Sequence, residues 1–440
     1  MGRAQVVQAQ ACRLEPDVRM NPILLKPNSD TGSQVIVLGR AVGNMDVQKY
    51  IQFKPHAFAA AKEAFDSLAR EYDVIVLEGA GSPAEINLKH HDIVNMNMAR
   101  HARSPVLLVG DIDRGGVFSA FVGTMEVLAE WERGLVAGFV INRFRGEEAL
   151  LREAIDYTER YTGRPILGVV PHLDGLGLPE EDSVTFKSSI PGSPGPSSGE
   201  RVEIAVIDLP HISNFTDLDP LRLEPDVNLR IVRAPQDLGQ PGAVILPGSK
   251  NVIGDLEYLQ RAGLTQAITD LVKGGKTELI GICGGFQFLG REIADPHGIE
   301  SGGRTLLSLG LLPLSTTLAP EKTLECVTAK HLDSGFPVRG YEIHHGRTVG
   351  MDLIPCVLRE DGEVIGVGST DGLVWGTYLH GIFDADEFRR WFLDRLRTRR
   401  GLSPLGCVCS RYNLEPAFDR LAEVVRKSLR IDEIYRRMGL

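Results

Sequence analysis

Residues 277–290 read TELIGICGGFQFLG: an apolar run closing at Ile282, then a tight cluster of glycines around one cysteine. A short apolar run bounded by turn residues reads as a fully buried strand. Gly281, Cys283 and Gly285 give the pattern G-x-C-x-G. The residues beyond this cluster read as a helix running on to Pro296. Strand, strained turn and helix make the setting of a nucleophile elbow, in which glycines let the backbone lift one side chain into the open. A thiol there also faces a helix N-terminus, whose partial positive charge favours thiolate. Cys283 alone reads equally well as a buried structural cysteine in a glycine-rich turn. His380 separates the two readings, because it closes the apolar run LVWGTYL later in the same half of the chain. An elbow cysteine followed by a strand-end histidine is a candidate nucleophile–base pair.

Outward from this stretch, the second half alternates RVEIAVIDLP, GAVILPGSK, TELIGIC and LVWGTYLHG with helical patterns. In DADEFRRWFLDRL, residues Phe388, Trp391, Phe392 and Leu396 recur at helical spacing and read as a core face. The first half shows the same grammar. DVIVLEGAG from Asp73, SPVLLVGD from Ser104, LVAGFVIN from Leu135 and PILGVVP from Pro165 read as buried parallel strands, with AFAAAKEAFDSLAREY as a helix between. Between the halves lies a Pro-, Gly- and Ser-rich run. The expected organisation is therefore α/β, with two doubly wound parallel-sheet domains at residues 1–185 and 201–395. A linker at 186–200 joins them, and a helical tail without chemistry occupies 396–440.

Bulk properties narrow the function. A chain of 440 residues with 43% hydrophobic and 24% charged residues is composed as a soluble globular protein. The formal net charge of -10 and the lack of a long basic run argue against nucleic acid or a membrane surface as partner. Arg395, Arg397, Arg399 and Arg400 read as the solvated end of a helix. Six cysteines without a paired framework fit a reducing cytoplasm. Cys407 and Cys409 read as surface thiols. Oligomeric state is silent in the sequence.

Several motifs together resemble the cobyric acid synthases. GICGGFQFLG, LPGSKN from Leu246, GYEIHHG and GTYLHGIF are similar to the class I glutamine amidotransferase domain of that family. GRAQVVQAQA, MNPILLKPNSDTGSQVIVLG, LEGAGSPAEINL and GDIDRGGVF are similar to its synthetase domain, of the P-loop dethiobiotin synthetase fold. The resemblance implies amidation of peripheral carboxylates of adenosylcobyrinic acid a,c-diamide, with glutamine as nitrogen donor and with ATP and Mg²⁺ activating the carboxylate. It implies Cys283 as nucleophile and His380 as general base, with backbone N–H groups near Gly248 and Gly284 stabilising the oxyanion. In the synthetase half it implies Glu78, at the end of a strand in LEGAG, as the magnesium-associated acid, and Asn142 near the adenine. Asp111 and Asp113 are weaker candidates. Ordinary triad amidotransferases place a glutamate two residues after the histidine. Here that position is Ile382, so whatever orients His380 comes from elsewhere.

The sequence holds no G-x-x-x-x-G-K-S/T, and the GGKT at Gly274 reads as the glycine end of a helix. The family carries its P-loop ahead of GRAQVVQAQA, which begins here at Gly2. The expectation is that the first strand, phosphate loop and helix lie upstream in a longer reading frame, with true truncation the alternative. As written, the 440 residues are expected to hydrolyse glutamine weakly or not at all and to form no ATP-dependent amide. Two further readings stay open. One is an amidotransferase for another carboxylate, such as cobyrinate diamide synthase or the lipid II isoglutaminyl synthase. The other is a non-catalytic or glutaminase-only remnant that binds a corrin or a partner subunit.

Overall fold

The computed structural model describes residues 2–27, 32–179 and 201–440. The linker expected at 186–200 lies outside them. Two compact units form, one of Met1–Leu178 with Leu414–Leu440, the other of Pro179–Asn413.

In the first unit, β1 (Ile23–Pro27), β2 (Gly32–Val37) and β3 (Arg40–Asp46) form an antiparallel meander. Asp46 then caps the helix Val47–Leu68, its carboxylate accepting the Lys49 N–H at 2.8 Å. β4 (Val106–Asp111), β5 (Val136–Phe144) and β6 (Ile166–Pro171) follow as a parallel sheet in that order. Its core gathers Phe121, Phe139 and Ile141, the two phenylalanine rings stacked 4.7 Å apart.

The apolar run from Asp73 is a correction, because it forms no strand. Val74, Val76 and Leu77 are all exposed, Val76 at 88%. An all-apolar strand is stable only when paired at its edges and covered on both faces, and among the described residues this one has no pairing neighbour.

The tail also differs from the single segment expected from residue 396. The helix Asp386–Arg399 carries through that point inside the second unit. The helices Glu415–Ser428 and Ile431–Met438 belong to the first. Val424, Leu429 and Ile434 pack on Val140, Leu167 and Val170. The Arg430 N–H donates to the Leu167 carbonyl at 2.8 Å. The approach is so close that a Cβ on Gly168 would lie 2.1 Å from the Ser428 oxygen.

The second unit begins with β7 (Val202–Ile207), β8 (Ile212–Ser213), β9 (Val227–Val232), β10 (Ala243–Leu246), β11 (Gly248–Ser249) and β12 (Glu278–Ile282). After them come β13 (Glu292–Ala294), β14 (Thr305–Leu307), β15 (Leu314–His331), β16 (Pro337–Gly350), β17 (Ile354–Arg359), β18 (Val364–Gly368) and β19 (Val374–Thr377). Apolar runs build the parallel order β9-β7-β10-β12-β19, every residue of β10 and β12 being buried. Beyond β19 the sheet turns antiparallel through β18, β17 and β15, with β16 folded back on β15, so the 11-stranded sheet is mixed.

The elbow helix is shorter than the sequence suggests. It spans Gly284–Phe288 and ends well before Pro296, because the chain re-enters the sheet as β13. Gly290 makes the bend possible, since a Cβ there would sit 2.7 Å from the Leu314 carbonyl oxygen. The GGKT stretch closes the helix Leu264–Lys273, with Gly275 at φ +73°.

The arginines expected to be solvated are largely tied down. Arg399 reaches Glu278 at 3.1 Å, and Arg395 pairs with the same carboxylate. Arg397 reaches Asp226 at 3.0 Å. Their partners lie more than a hundred residues away in sequence (separations 117, 121 and 171), beyond the reach of a local charge pattern.

Candidate active site

Four neighbouring parallel strands deliver the site from their carboxyl ends, the edge where open α/β sheets gather ligands. β12 leads to Cys283, β19 to His380, β10 to Gly248, and β7 to the loop carrying Asn214 and Asp217. Cys283 stands at φ 51°, ψ −103°, a region L-residues rarely occupy. Such a backbone costs on the order of 1–3 kcal/mol and persists where its surroundings hold it. Here Gly285 presses so close to β10 that a Cβ would fall 1.8 Å from the Leu246 oxygen. The Cys283 N–H donates to Thr377 at 2.8 Å. The thiol, buried at 4% exposure, lies 3.6 Å from the Ile343 carbonyl oxygen of β16.

His380 is fully buried, and the Cys283 sulfur lies close enough to raise the proton affinity of its ring. The structure supplies the orienting group missing after the histidine. Asp217 Oδ2 lies 2.7 Å from His380 Nδ1, while its other oxygen accepts the Gly381 N–H at 2.8 Å. A carboxylate held on both sides fixes the tautomer, leaving Nε2 for proton exchange. Asn214, itself at φ 49°, places its amide 3.0 Å from Nε2, and the Tyr341 hydroxyl donates to its Oδ1 at 3.1 Å. The Tyr341 ring stacks on the imidazole at 5.2 Å, and the two residues also form a backbone bridge. Burial alone lowers the affinity of this imidazole for a proton. The Asp217 carboxylate and the Cys283 sulfur overcome that effect and lift its pKa to about 10.

Both glycines expected at the oxyanion site lie beside this pair. A Cβ on Gly248 would meet His380 Cε1 at 2.9 Å, and one on Gly284 would meet the Ser249 nitrogen at 2.8 Å. Sequence reading missed Asp217, Asn214, Tyr341 and Gln287. Gln287 lies one turn past Cys283, its carbonyl oxygen buried without a partner among the described residues. No local spacing marks Asp217. The carboxyl-edge rule, applied to the chain leaving β7, would have narrowed the search to a few acids.

The first unit brings its candidates together far less. Glu78 lies on the irregular exposed stretch and accepts the Gln8 amide at 2.7 Å. Asn142 and Asp111 are register partners at the ends of β5 and β4, but the Asn142 oxygen accepts the Arg143 N–H at 2.9 Å. Asp111 and Asp113 pair with Arg143 at 3.4 and 3.9 Å. Mg²⁺ requires an octahedral set of oxygen ligands. No group of three or more His, Cys, Asp or Glu side chains is arranged to hold a metal among the described residues. Nucleotide-bound Mg²⁺ is commonly held by one or two carboxylates, with phosphate oxygens and waters filling its other positions, a set to which a single acid such as Glu78 or Asp111 can contribute.

Residues 203–388 match the CobB/CobQ-like glutamine amidotransferase domain, and residues 39–180 match the AAA domain. The chain is similar to the cobyric acid synthase of Nitratidesulfovibrio vulgaris, at 55% identity over all of this chain and 88% of that protein. It is 52% identical to the adenosylcobalamin biosynthesis bifunctional protein CobDQ of Leptospira interrogans, over all of this chain and 51% of that protein. The cobyric acid synthase of Salmonella arizonae is 46% identical, over 99% of this chain and 87% of its own length.

Proposed function

Because this chain belongs to the cobyric acid synthase family of glutamine-dependent amidotransferases, we propose that it strips ammonia from glutamine at Cys283 and passes it to peripheral carboxylates of a corrin. The corrin is adenosylcobyrinic acid a,c-diamide, the reaction uses ATP, and it takes place in the cytoplasm. What supports the glutamine half is the buried Asp217–His380 contact, with the Cys283 sulfur near enough to act on the same imidazole.

The Cys283 sulfur attacks the side-chain amide carbon of glutamine, with His380 holding the thiol's proton. Backbone N–H groups at Gly248 and Gly284 stabilise the oxyanion. His380 returns its proton to the departing nitrogen, and ammonia leaves behind a glutamyl thioester. Water then adds to the thioester, His380 taking and returning one proton, and glutamate departs. Activation of the corrin carboxylate belongs to the first unit, where residues 39–180 match the AAA domain.

Glutamate release from glutamine tests this reading. Cys283→Ala should abolish it, and a glutamine-analogue electrophile should label Cys283 alone among the six cysteines. Wild-type rates of glutamate release from Cys283→Ala would refute the assignment.

A further inference from the structure

One charged side chain near the nucleophile has no part in the acyl-transfer steps. The β15–β16 ladder breaks register between Leu318 and Thr323, and Lys322 lies in that bulge. Just past it Thr323 faces His344 and Leu324 faces Ile343, the residue whose carbonyl approaches the Cys283 sulfur at 3.6 Å. The bulge therefore sets Lys322 beside the part of β16 that covers the thiol. Bulges commonly re-aim a side chain in this way next to active sites.

Lys322 is half-buried, and its ammonium has no hydrogen-bond or ion-pair partner among the described residues. Burial pulls its pKa down, and the charges of Cys283 and Glu300 partly offset that. A cation withdrawn from water with no counter-charge in contact is costly, so an arriving anion is favoured there.

Glu300 comes from a different segment and is close enough to act on the Lys322 charge. Its Oε2 accepts the Ile253 N–H at 3.1 Å, at the head of the helix Val252–Arg261. The Val252 side chain in turn reaches to 3.3 Å from where a Cβ on Gly284 would stand. Burial pushes the Glu300 carboxyl up to about 7. A cation beside the strand over the thiol and an acid at the head of the helix that packs on Gly284 thus come from two elements, and free glutamine carries an anion and a cation together at one end.

We infer that Lys322 binds the α-carboxylate of glutamine and Glu300 its α-ammonium, gripping the zwitterionic end while the side-chain amide lies on Cys283. This rests on the glutaminase reading and adds the determinants that tell glutamine from other primary amides. Both are binding residues, not participants in bond making.

Steady-state glutaminase kinetics of the full chain test it. Wild type should strongly prefer glutamine to 4-aminobutanamide, which lacks the carboxylate, and to glutaramate, which lacks the amine. Loss of one charge-assisted contact should raise KM for glutamine in Lys322→Met by about tenfold to a hundredfold, with kcat far less affected. Lys322→Arg should recover part of that loss. The preference for glutamine over 4-aminobutanamide should collapse in Lys322→Met, and that over glutaramate in Glu300→Gln. Unchanged thermal unfolding and iodoacetamide alkylation of Cys283 would show that the variants keep the fold and the thiol. A wild type that hydrolyses 4-aminobutanamide as readily as glutamine, or a Lys322→Met enzyme with unaltered KM, would overturn the clamp alone. Glutamate release that survives Cys283→Ala would instead overturn the reading beneath it.

Discussion

At the scale of single residues, the decisive contact is the 2.7 Å bond between Asp217 and His380. Asp217→Asn keeps the shape and removes the charge, so the imidazole loses both its tautomer control and the pull that lifts its pKa. By analogy with buried acid–histidine pairs elsewhere, glutaminase kcat should fall roughly 10²- to 10⁴-fold. KM for glutamine should change little, and the kcat–KM split in steady-state assays is the check. The same pair sets a pH dependence of stability. A histidine raised from 6.5 to about 10 binds its proton more tightly folded than unfolded. Its stabilisation is therefore complete below the unfolded value and is lost as pH climbs toward 10. Urea midpoints of wild type should drop between pH 7 and 10 more steeply than those of Asp217→Asn, and parallel curves would contradict the assignment. Cys283 and His380 were legible because each sits in a local signal, a glycine elbow and a strand end. Asp217 was not, since it meets His380 across 163 residues.

At the scale of elements, the helix Asp386–Arg399 shows what a local pattern can and cannot say. Its apolar face was readable from Phe388, Phe392 and Leu396, all fully buried. Arg395, Arg397 and Arg399 at its end were misread as solvated, because the acids that receive them lie on distant segments, and Arg389 and Arg390 earlier in the helix find distant acids too. Arg389 and Glu224 are both fully buried as side chains and meet at 2.7 Å. Arg390 and Arg397 both reach Asp226 at 3.0 Å. Removing one partner from a buried pair leaves an uncompensated charge, which typically costs about 3–5 kcal/mol. Arg389→Met should destabilise the second unit by that order in denaturant unfolding, while the exposed-pair variant Lys427→Met should barely move the unfolding of the first unit. The error at Asp73 has the opposite origin. Its apolar run carries the composition of a buried strand, but burial depends on neighbours that composition does not reveal.

At the scale of the whole molecule, each unit owns its apolar core: one gathers residues from Val202 to Leu396, the other from Met96 to Val169. Separate cores favour separate cooperative transitions. Calorimetry should resolve two, and covalent trapping of Cys283 should raise the midpoint of only one; a single transition moving as a unit would refute this. The alternation of strands and helices sufficed to read two α/β halves. It could not show that the second sheet turns antiparallel beyond β19, because both kinds of strand present the same buried runs. Nor could it show where the tail goes. Leu429 and Ile434 pack on Leu167 and Val170, so the first unit is completed by residues that follow the second in sequence. Emerging from the ribosome, the first unit must wait with that apolar face uncovered until residues 414–440 have been made. The later-made unit, whose residues are all synthesised before Leu414, can finish folding first. A premature stop just ahead of Leu414 would thus damage the unit made before the one it leaves whole.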